Sequence, residues 1–449
     1  MAETNDIDDL DGIDASKLAA VSIVQRGNLK TLEKTLRKQW RMGQNIVLCW
    51  SSDERGLLVI LVPHYFLGNY CASTGGEAND AVSDNEAFVR DLISGSRRKT
   101  RDELFAVSQR LDISPTFIKL SSELSENEKV LDAVEELIRR YGLSFVEVRA
   151  VLLFDIADFS LCTPFEQASQ LNSLSYSLNS AYNKLLANGI EINFARTTTG
   201  DGYYVWNRDV GPFSCQDLFL FMLLVVADNA TARAVSRGNT VPVIRTAFHI
   251  GSHYELYQAE GVNPTVFSYI VGDVTIELAR MVDLAQPNQV LIGDFSCTMP
   301  GRDRGAVPLS VSLDSHAYVQ ACDRELERLV GTQLSGKAVK TMSCHLTTGQ
   351  DQEPRRFRIT DKHGLTRIAY NLQVDIDLDG QVLALGLNDS QLPGGSAAEE
   401  VLDDTVSTAT IGAEPDSAAE DEVQTAEALF DDLASMLRRR AKKSITEED

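Results

Sequence analysis

Apolar positions in the first 120 residues alternate between helical and strand-like spacing. Helical spacing covers residues 29–42 and 84–110, and two short apolar runs, Ile46–Trp50 and Leu57–Val62, flank a polar turn. Residues 16–120 are therefore predicted to form an α/β region, interpreted as a small regulatory or sensory domain. None of its residues has the spacing of a catalytic site.

A second helical pattern follows between Ser122 and Tyr141, where apolar residues recur among many charges. It predicts a helix that connects the two parts of the chain across residues 121–145. Two interpretations stay open, since the helix would either transmit a signal to the next domain or simply pack against its neighbours.

The central region opens on an apolar run at residues 148–156, which predicts a strand that ends near Asp155. Thr163 and Glu166 have the spacing of a helix capping box, so a helix is predicted from there to about Ala187. A carboxylate that leaves a strand beside the free amides of a helix N-terminus is suited to hold a metal ion and a phosphate together.

A hairpin is predicted next, because Ile190–Thr199 and Tyr203–Trp206 alternate as strands around Gly200-Asp201-Gly202. The turn presents Asp201, and two carboxylates on adjacent strand ends can share two magnesium ions. By itself the Gly-Asp-Gly segment is a common hairpin turn.

Charge and composition change after residue 372. No Lys or Arg occurs from Ile368 to Leu437, and acids are frequent, so residues 373–425 are predicted to be an acidic, disordered linker. Residues 426–449 are predicted to form an amphipathic helix with a basic end, which would be a docking helix for a protein partner or an autoinhibitory segment. Residues 1–15 are predicted to be a disordered acidic leader.

One stretch near the start of this tail admits two interpretations. Asp375, Asp377, Asp379 and Gly380 match the opening of an EF-hand loop, but the twelfth position is Gly386 rather than a carboxylate. A strand, a turn and a second strand explain the same residues.

The overall composition restricts the function and the setting. The 449 residues carry a net charge of -23, which disfavours nucleic acid as a partner. The seven scattered cysteines have no metal-ligand spacing, and we expect reduced thiols. The longest apolar run, Leu218–Ala227, is short of the roughly 20 residues that cross a bilayer. With no basic, apolar leader, a cytoplasmic protein without a transmembrane segment is the expectation.

Five segments between residues 146 and 372 occur in the order found in the catalytic domain of class III adenylyl and guanylyl cyclases, and each resembles a motif of that family. The segments are Phe154-Asp155-Ile156 with Phe159-Ser160, Thr198 with Gly200-Asp201-Gly202-Tyr203, Arg245 with Phe248, His249 and Gly251, Gly272-Asp273 to Arg280-Met281, and Lys362 within residues 361–372.

This resemblance implies an α+β fold, a ferredoxin-like βαββαβ cyclase homology domain over residues 146–372, with an insertion at about 293–355 that includes a charged helix near Arg324–Arg328. It implies a head-to-tail homodimer that converts a nucleoside triphosphate to a 3',5'-cyclic nucleotide and pyrophosphate with two Mg²⁺ or Mn²⁺ ions per site, for intracellular signalling. The implied roles are metal binding by Asp155, Ile156 and Asp201, triphosphate binding by Phe159, Ser160, Arg245 and Lys362, transition-state stabilisation by Arg280, and base selection by Thr197 and Tyr269.

The chain also departs from the family pattern. Thr197 and Tyr269 match neither the adenine nor the guanine pair, Ile276 replaces an asparagine that orients the ribose, and Asp158 replaces a loop glycine. Two hypotheses remain: an active cyclase with an unusual base preference, and a regulatory or nucleotide-binding module that has lost turnover. The retained aspartate pair favours the first. The second is favoured by Ile276, Asp158, Thr197 and Tyr269.

Overall fold

The computed structural model describes residues 21–72, 79–209, 211–260, 263–264, 268–300, 310–348, 353–360, 364–388 and 390–392. Three of the sequence-based predictions lie outside these residues. They are the leader at 1–15, the amphipathic helix at 426–449 and the triphosphate role of Lys362.

The N-terminal region contains a three-stranded antiparallel sheet in the order β1-β2-β3, covered by helices on both sides. Its elements are α1 (Ile23–Trp40), β1 (Asn45–Asp53), β2 (Gly56–Pro63), α2 (Phe66–Ala72), α3 (Asn79–Ile93), α4 (Arg101–Leu111), β3 (Thr116–Lys119) and α5 (Glu128–Arg140). Both predicted strands and the turn between them are present.

The single helix predicted at residues 84–110 is wrong, because the structure has two helices there. Gly95 adopts a left-handed φ of +60° after α3, and Thr100 begins α4 with a capping box to Glu103. A left-handed glycine ends a helix, and a capping box starts a new one.

The helix predicted to connect the two regions is α5, and its apolar face is buried. Val134, Leu137 and Ile138 are fully buried in the same cluster as Leu29 and Leu32 of α1. The structure therefore places α5 in the N-terminal core, as the packing interpretation expects.

The central region is a mixed α+β structure, which confirms the predicted fold class at that level. Its core sheet has the order β7-β4-β6-β5, with every neighbouring pair antiparallel. Its elements are β4 (Leu143–Ile156), a 3₁₀ turn (Phe159–Leu161), α6 (Pro164–Ala187), β5 (Phe194–Thr198), β6 (Gly202–Asn207), α7 (Ser214–Val235) and β7 (Ile244–Leu256).

Helices α6 and α7 cover one face of this sheet, and their apolar residues form the largest buried cluster. By length and composition alone α7 would be long and apolar enough to cross a membrane. In the structure two thirds of its apolar window is buried inside the fold. Its uninterrupted apolar run is that of a helix enclosed by the sheet, α6 and the C-terminal strands.

The other face is covered by α8 (Asp273–Leu284), and the sheet continues through β11 (Val290–Gly293), which is parallel to β7. The remaining elements are β8 (Ala259–Glu260), β9 (Asn263–Pro264), β10 (Tyr269–Val271), β12 (Ser296–Pro300), β13 (Ser310–Asp314), α9 (Ser315–Asp323), a 3₁₀ turn (Leu326–Leu329), β14 (Gln333–Leu334), β15 (Lys337–Leu346), β16 (Arg356–Thr360), β17 (Thr366–Leu378) and β18 (Gln381–Leu385).

Two boundaries in this last part differ from the sequence-based prediction. The charged helix expected near Arg324–Arg328 is instead a 3₁₀ turn that buries Leu326 and Leu329. Strand β17 crosses residue 372 and forms a hairpin with β18, so the sheet extends into the predicted acidic linker. Alternating apolar residues of this hairpin, such as Val374 and Ile376, are buried, which outweighs the surrounding acids. The strand-turn-strand interpretation is therefore confirmed.

Candidate functional site

Asp155 lies at the end of β4, where three strands meet. Its register partners are Gly202 on β6 and Arg245 on β7, and only 8% of the residue is exposed. The Arg245 Nε donates to Asp155 Oδ2 at 2.8 Å. The guanidinium thus neutralises a carboxylate that the fold has largely removed from water.

The β5–β6 turn brings Asp201 to the same end of the sheet. The Ile156 amide donates to the Asp201 carbonyl at 3.0 Å, and Thr199 Oγ1 donates to Asp201 Oδ1 at 3.1 Å. A Cβ at Gly202 would lie 1.9 Å from the Phe154 carbonyl oxygen, so only glycine permits this approach. The Gly-Asp-Gly segment is required by backbone packing as well as by the turn.

Burial and neighbouring charges shift the pKa of Asp155. Burial raises the pKa of its carboxyl to about 6, Arg245 opposes that rise, and the negative charge of Asp201 adds to it. Asp283 on α8 contributes in the same direction. Three carboxylates therefore act on one point, and a cation placed there would relieve their repulsion.

The residues at this point fit a hard divalent cation. Two carboxylates and nearby backbone carbonyls are oxygen donors, and Mg²⁺ is usually held by one or two carboxylates together with substrate phosphates and water. Within the ranges that the structure describes, no group of three or more His, Cys, Asp or Glu side chains is arranged to hold a metal. Any further ligands would have to come from a bound nucleotide and water.

The segment after Asp155 leads into the N-terminus of α6. The capping box is present, since Thr163 Oγ1 accepts from the Glu166 amide and Glu166 Oε2 accepts from the Thr163 amide. Phe159 is partly buried against the core, whereas Ser160 is exposed. The exposed Asp158 has a left-handed φ of +57°, a conformation that favours glycine.

Helix α8 carries Arg280 and ends beside the aspartates. The Arg280 Nη1 donates to Asp283 Oδ2 at 3.3 Å, and its Nε is buried without a hydrogen-bond partner. One turn earlier Ile276 is 47% exposed, an apolar side chain on a surface position. Ile276 and Arg280 are four residues apart and therefore share one face of α8.

The structure does not bring Thr197 and Tyr269 together. Through their pairings Thr197 aligns with Leu153 of β4 and Tyr269 with Leu143, ten positions or roughly 30 Å of strand apart. Register partners on adjacent strands have their side chains on the same face of the sheet. Thr197 therefore lies on the face that α8 covers, together with Leu153. Ile270 packs in that same cluster, hence Tyr269 lies on the opposite face. A base pocket shared by the two side chains is not supported.

A cavity of about 430 Å³ lies beside the Asp155–Arg245 pair. Arg245, Asp158 and Asp283 form its polar side, and the opposite wall is apolar, with Phe357 and Ile359 of β16. The contribution of Asp283 was not predicted from the sequence. Its position three residues after Arg280 on α8 was the one available signal, and that spacing is common on any exposed helix.

No family model matches the chain, and no curated protein sequence matches it. Among solved structures, the catalytic core of a rhodopsin-guanylyl cyclase with converted specificity, in complex with ATPαS, is 16% identical and aligns 38% of this chain with 97% of its own at a TM-score of 0.27. The guanylate cyclase domain of RhGC from Catenaria anguillulae, in complex with GTP, gives the same values.

The adenylyl cyclase CyaB from P. aeruginosa is 12% identical and aligns 38% of this chain with 95% of its own at a TM-score of 0.25. The solved structures that the chain resembles are thus cyclase catalytic domains.

Proposed function

We propose that this chain is a class III nucleotide cyclase, which forms a 3',5'-cyclic nucleotide and pyrophosphate from a ribonucleoside triphosphate. The observation that carries the proposal is the meeting of Asp155 and Asp201 at one end of the sheet, with Arg245 across the strand from Asp155. In this proposal the βαββαβ unit is the ferredoxin-like core of the cyclase homology domain.

Asp155, Asp201 and the backbone carbonyl of Ile156 would hold Mg²⁺ or Mn²⁺. When bound, two such ions lower the pKa of a ribose 3'-hydroxyl and neutralise the triphosphate. The raised pKa of Asp155 supports this role, because a carboxylate strained by burial and by Asp201 gains most from a nearby cation.

Arg245 has two partners in this proposal. Without nucleotide it pairs with Asp155, and once a cation takes that place the guanidinium is free to hold the phosphates. The ribose 3'-hydroxyl loses its proton to water, its oxygen forms the new bond to the α-phosphorus, and the bond from that phosphorus to the bridging oxygen breaks. Pyrophosphate leaves, with Arg245 stabilising its charge and Ser160 at the exposed loop beside it.

The active form would be a head-to-tail homodimer, in which Arg280 stabilises charge on the phosphorus in the partner's site. The exposed apolar side chain of Ile276, one turn before Arg280, supports an interface on this face of α8. Thr197 would lie on the base side of such a site, since it shares the α8 face with these residues.

A second function has one observation in its favour. Ile276 stands where the related enzymes have an asparagine, and its side chain cannot hydrogen-bond to a ribose. A dimeric module that binds nucleotide without turning it over would tolerate this residue. The aspartate pair has no purpose in a module of that kind unless it still binds metal.

One experiment separates the two functions. The purified full-length chain is incubated with each of the four ribonucleoside triphosphates and Mn²⁺ or Mg²⁺, and the products are identified by mass, with Asp155→Asn as the inactive control. A cyclic nucleotide made by the wild type and absent from the control supports the cyclase. Binding of Mn²⁺ and nucleotide without any product supports the regulatory module.

A further inference from the structure

Helix α8 carries Arg280 and packs on the sheet through an apolar face. Its buried residues, in a cluster with residues of β4, β7 and β11, are Val274, Leu278, Met281 and Val282. Burial of apolar side chains is favourable but non-directional, so it decides which face of the helix is covered and leaves its place along the sheet less firmly fixed. Hydrogen bonds depend on distance and angle, and they fix that place.

Two side chains from the sheet form such bonds to the first half of α8. On β6, the Tyr204 hydroxyl donates to the Thr275 carbonyl at 3.0 Å. Burial raises the pKa of this hydroxyl above its ordinary value, so it stays protonated and remains a donor. On β17, Arg367 Nε donates to Glu277 Oε1 at 2.6 Å, and the two side chains are 15% and 26% exposed. A charged pair that is mostly removed from water is a strong, directional contact.

The two contacts are placed to determine where Arg280 lies. Thr275 and Glu277 flank Ile276, one turn before Arg280 on the same helix. An α-helix rises about 1.5 Å per residue, so the Arg280 backbone lies roughly 5 to 8 Å along the axis from both contacts. Arg280 itself hydrogen-bonds within α8, to Asp283. Its guanidinium therefore moves with the helix.

We propose that Tyr204 and Glu277 are positioning residues, which hold α8 at the place from which Arg280 reaches the partner's site. This inference rests on the proposed function, since Arg280 acts in catalysis only if two chains share the site. A misplacement of about 1 Å caused far from the reacting atoms can cost roughly 100-fold in rate. Loss of either contact should lower kcat and leave the KM for nucleotide nearly unchanged, because Arg280 acts on the transition state.

The first test compares Tyr204→Phe with a matched control. The variant removes one hydroxyl and keeps the ring, and we expect kcat to fall about tenfold with KM within about twofold of the wild type. The control is Tyr370→Phe, which removes a hydroxyl that donates to Asp294 Oδ1 at 3.2 Å from a ring in the cluster under α6 and α7. It should leave kcat unchanged. An equal fall in both variants would contradict the proposal.

Mixed dimers identify the chain in which Tyr204 acts. A dimer of one Asp155→Ala chain and one Arg280→Ala chain has a single intact site, which combines Arg280 of the first chain with Asp155 of the second. Tyr204→Phe added to the first chain should lower the activity of the mixture about tenfold. Added to the second chain it should have little effect, because α8 of that chain carries no Arg280.

The mixtures also separate this inference from the function on which it rests. If the parent mixture regains no activity although subunits exchange, the shared site is absent and the inference falls with it. If the parent mixture is active and Tyr204→Phe lowers the rate only in the second chain, Tyr204 acts on the turn that carries Asp201 two residues before β6 continues, and the proposal is overturned. Equal rates in all mixtures would likewise overturn it.

Glu277→Gln covers the case in which Tyr204→Phe does not fold. It removes the charge from the pair with Arg367 at nearly constant size, and we expect the same tenfold fall in kcat, again only in the chain that supplies Arg280. The matched control is Glu126→Gln, which removes the charge from a pair with Arg98, also at 2.6 Å, in the N-terminal region. Circular dichroism verifies folding. Full activity of a folded Glu277→Gln chain would show that this pair does not position α8.

Discussion

The paired strands β4 and β7 carry two arginine–carboxylate pairs, one toward each end. The pKa of the carboxyl is lowered in one pair and raised in the other. At one end Arg149 Nη1 lies 3.0 Å from Glu255 Oε2, and both side chains are almost fully buried. Ser268 Oγ donates to Glu255 Oε1 at 2.6 Å and in turn accepts from Arg208 Nη2 at 3.2 Å. Burial by itself would raise the pKa of Glu255, but Arg149, Ser268 and Arg208 outweigh it and lower the pKa.

The pair at the other end is Arg245 with Asp155. There burial prevails and the pKa of Asp155 rises to about 6, because two further carboxylates lie nearby and Arg245 alone opposes them. A satisfied pair stabilises the fold, whereas a crowded one stores energy that a ligand can release. The difference predicts a structural role for the Glu255 pair and supports the proposed role of the Asp155 pair in the cyclase site.

The largest expected effect is on turnover. Asp155→Asn or Asp201→Asn should reduce cyclisation by roughly 10³-fold or more, because each removes a charged metal ligand. Glu255→Gln, measured at a temperature where it stays folded, should retain most of its activity. Product formation by mass is the assay, with circular dichroism to verify folding. Undiminished turnover in either aspartate variant would remove the basis for the assignment.

Complementation tests whether the functional end is shared between two chains. Neither Asp155→Ala nor Arg280→Ala should be active alone. An equal mixture should recover about a quarter of wild-type activity, since half of the dimers are mixed and each has one intact site of two. Subunit exchange has to be shown independently, for example with differently tagged chains. No recovery despite exchange would mean that Arg280 acts within its own chain.

Neutralising the carboxylate should change the free energy of unfolding in opposite directions at the two ends of the strands. Glu255→Gln leaves Arg149 buried without a counter-charge and should lower the free energy of unfolding by about 3 kcal/mol. Asp155→Asn should raise it by ~1 kcal/mol at pH 7.5, because the folded state no longer ionises a crowded carboxyl.

The pH dependence follows from the two pKa shifts. A raised pKa destabilises the fold only where the carboxyl is ionised, so the gain from Asp155→Asn should fade as the pH drops from about 6 toward 4. The lowered pKa of Glu255 stabilises the fold above the pKa of the unfolded chain and is lost on further acidification. Urea unfolding at pH 7.5 and pH 4.5 measures the first effect, and unfolding at about pH 3 measures the second. Equal effects of Asp155→Asn at pH 7.5 and pH 4.5 would contradict the assignment.

Metal binding should depend on the same carboxyl. Protons compete with Mn²⁺ for Asp155, so the association constant should fall by about tenfold per pH unit below pH 6 and level off above it. Electron paramagnetic resonance of free Mn²⁺ at pH 5 to 8 measures this. Asp201→Asn should shift the midpoint to lower pH, since one neighbouring charge is gone. A midpoint near pH 4 in the wild type would show that Asp155 is not crowded.

The smallest expected effect is on base choice. Thr197→Ala should change the ratio of products from the four nucleotides by about fivefold, because Thr197 lies on the α8 face. Tyr269→Phe should leave the ratio unchanged, since Tyr269 lies on the opposite face. Competition among ATP, GTP, CTP and UTP is the measurement. If the product ratio changed in the Tyr269 variant alone, the side of the sheet on which a residue lies would not determine base selection.

The local structure of individual segments was determined by the sequence. The capping box at Thr163, the strand that ends at Asp155 and the turn that presents Asp201 depend on residues a few positions apart, and all three are present. The amphipathic pattern of α5 likewise predicted its buried face. Sequence patterns that span only a few residues predict the local structure, because neighbouring residues belong to the same helix or hairpin.

Only the tertiary structure decided which residues meet across the sheet. Arg245 and Asp155 are 90 positions apart, and strand register makes them partners. Register also separated Thr197 from Tyr269, since a shift of one residue exchanges the two faces of a strand. The acid-rich hairpin of β17 and β18 forms because its alternate residues are buried. That burial depends on strands that are distant in the sequence. Long-range pairing leaves no local signal, and it determines the environment in which each charge ionises.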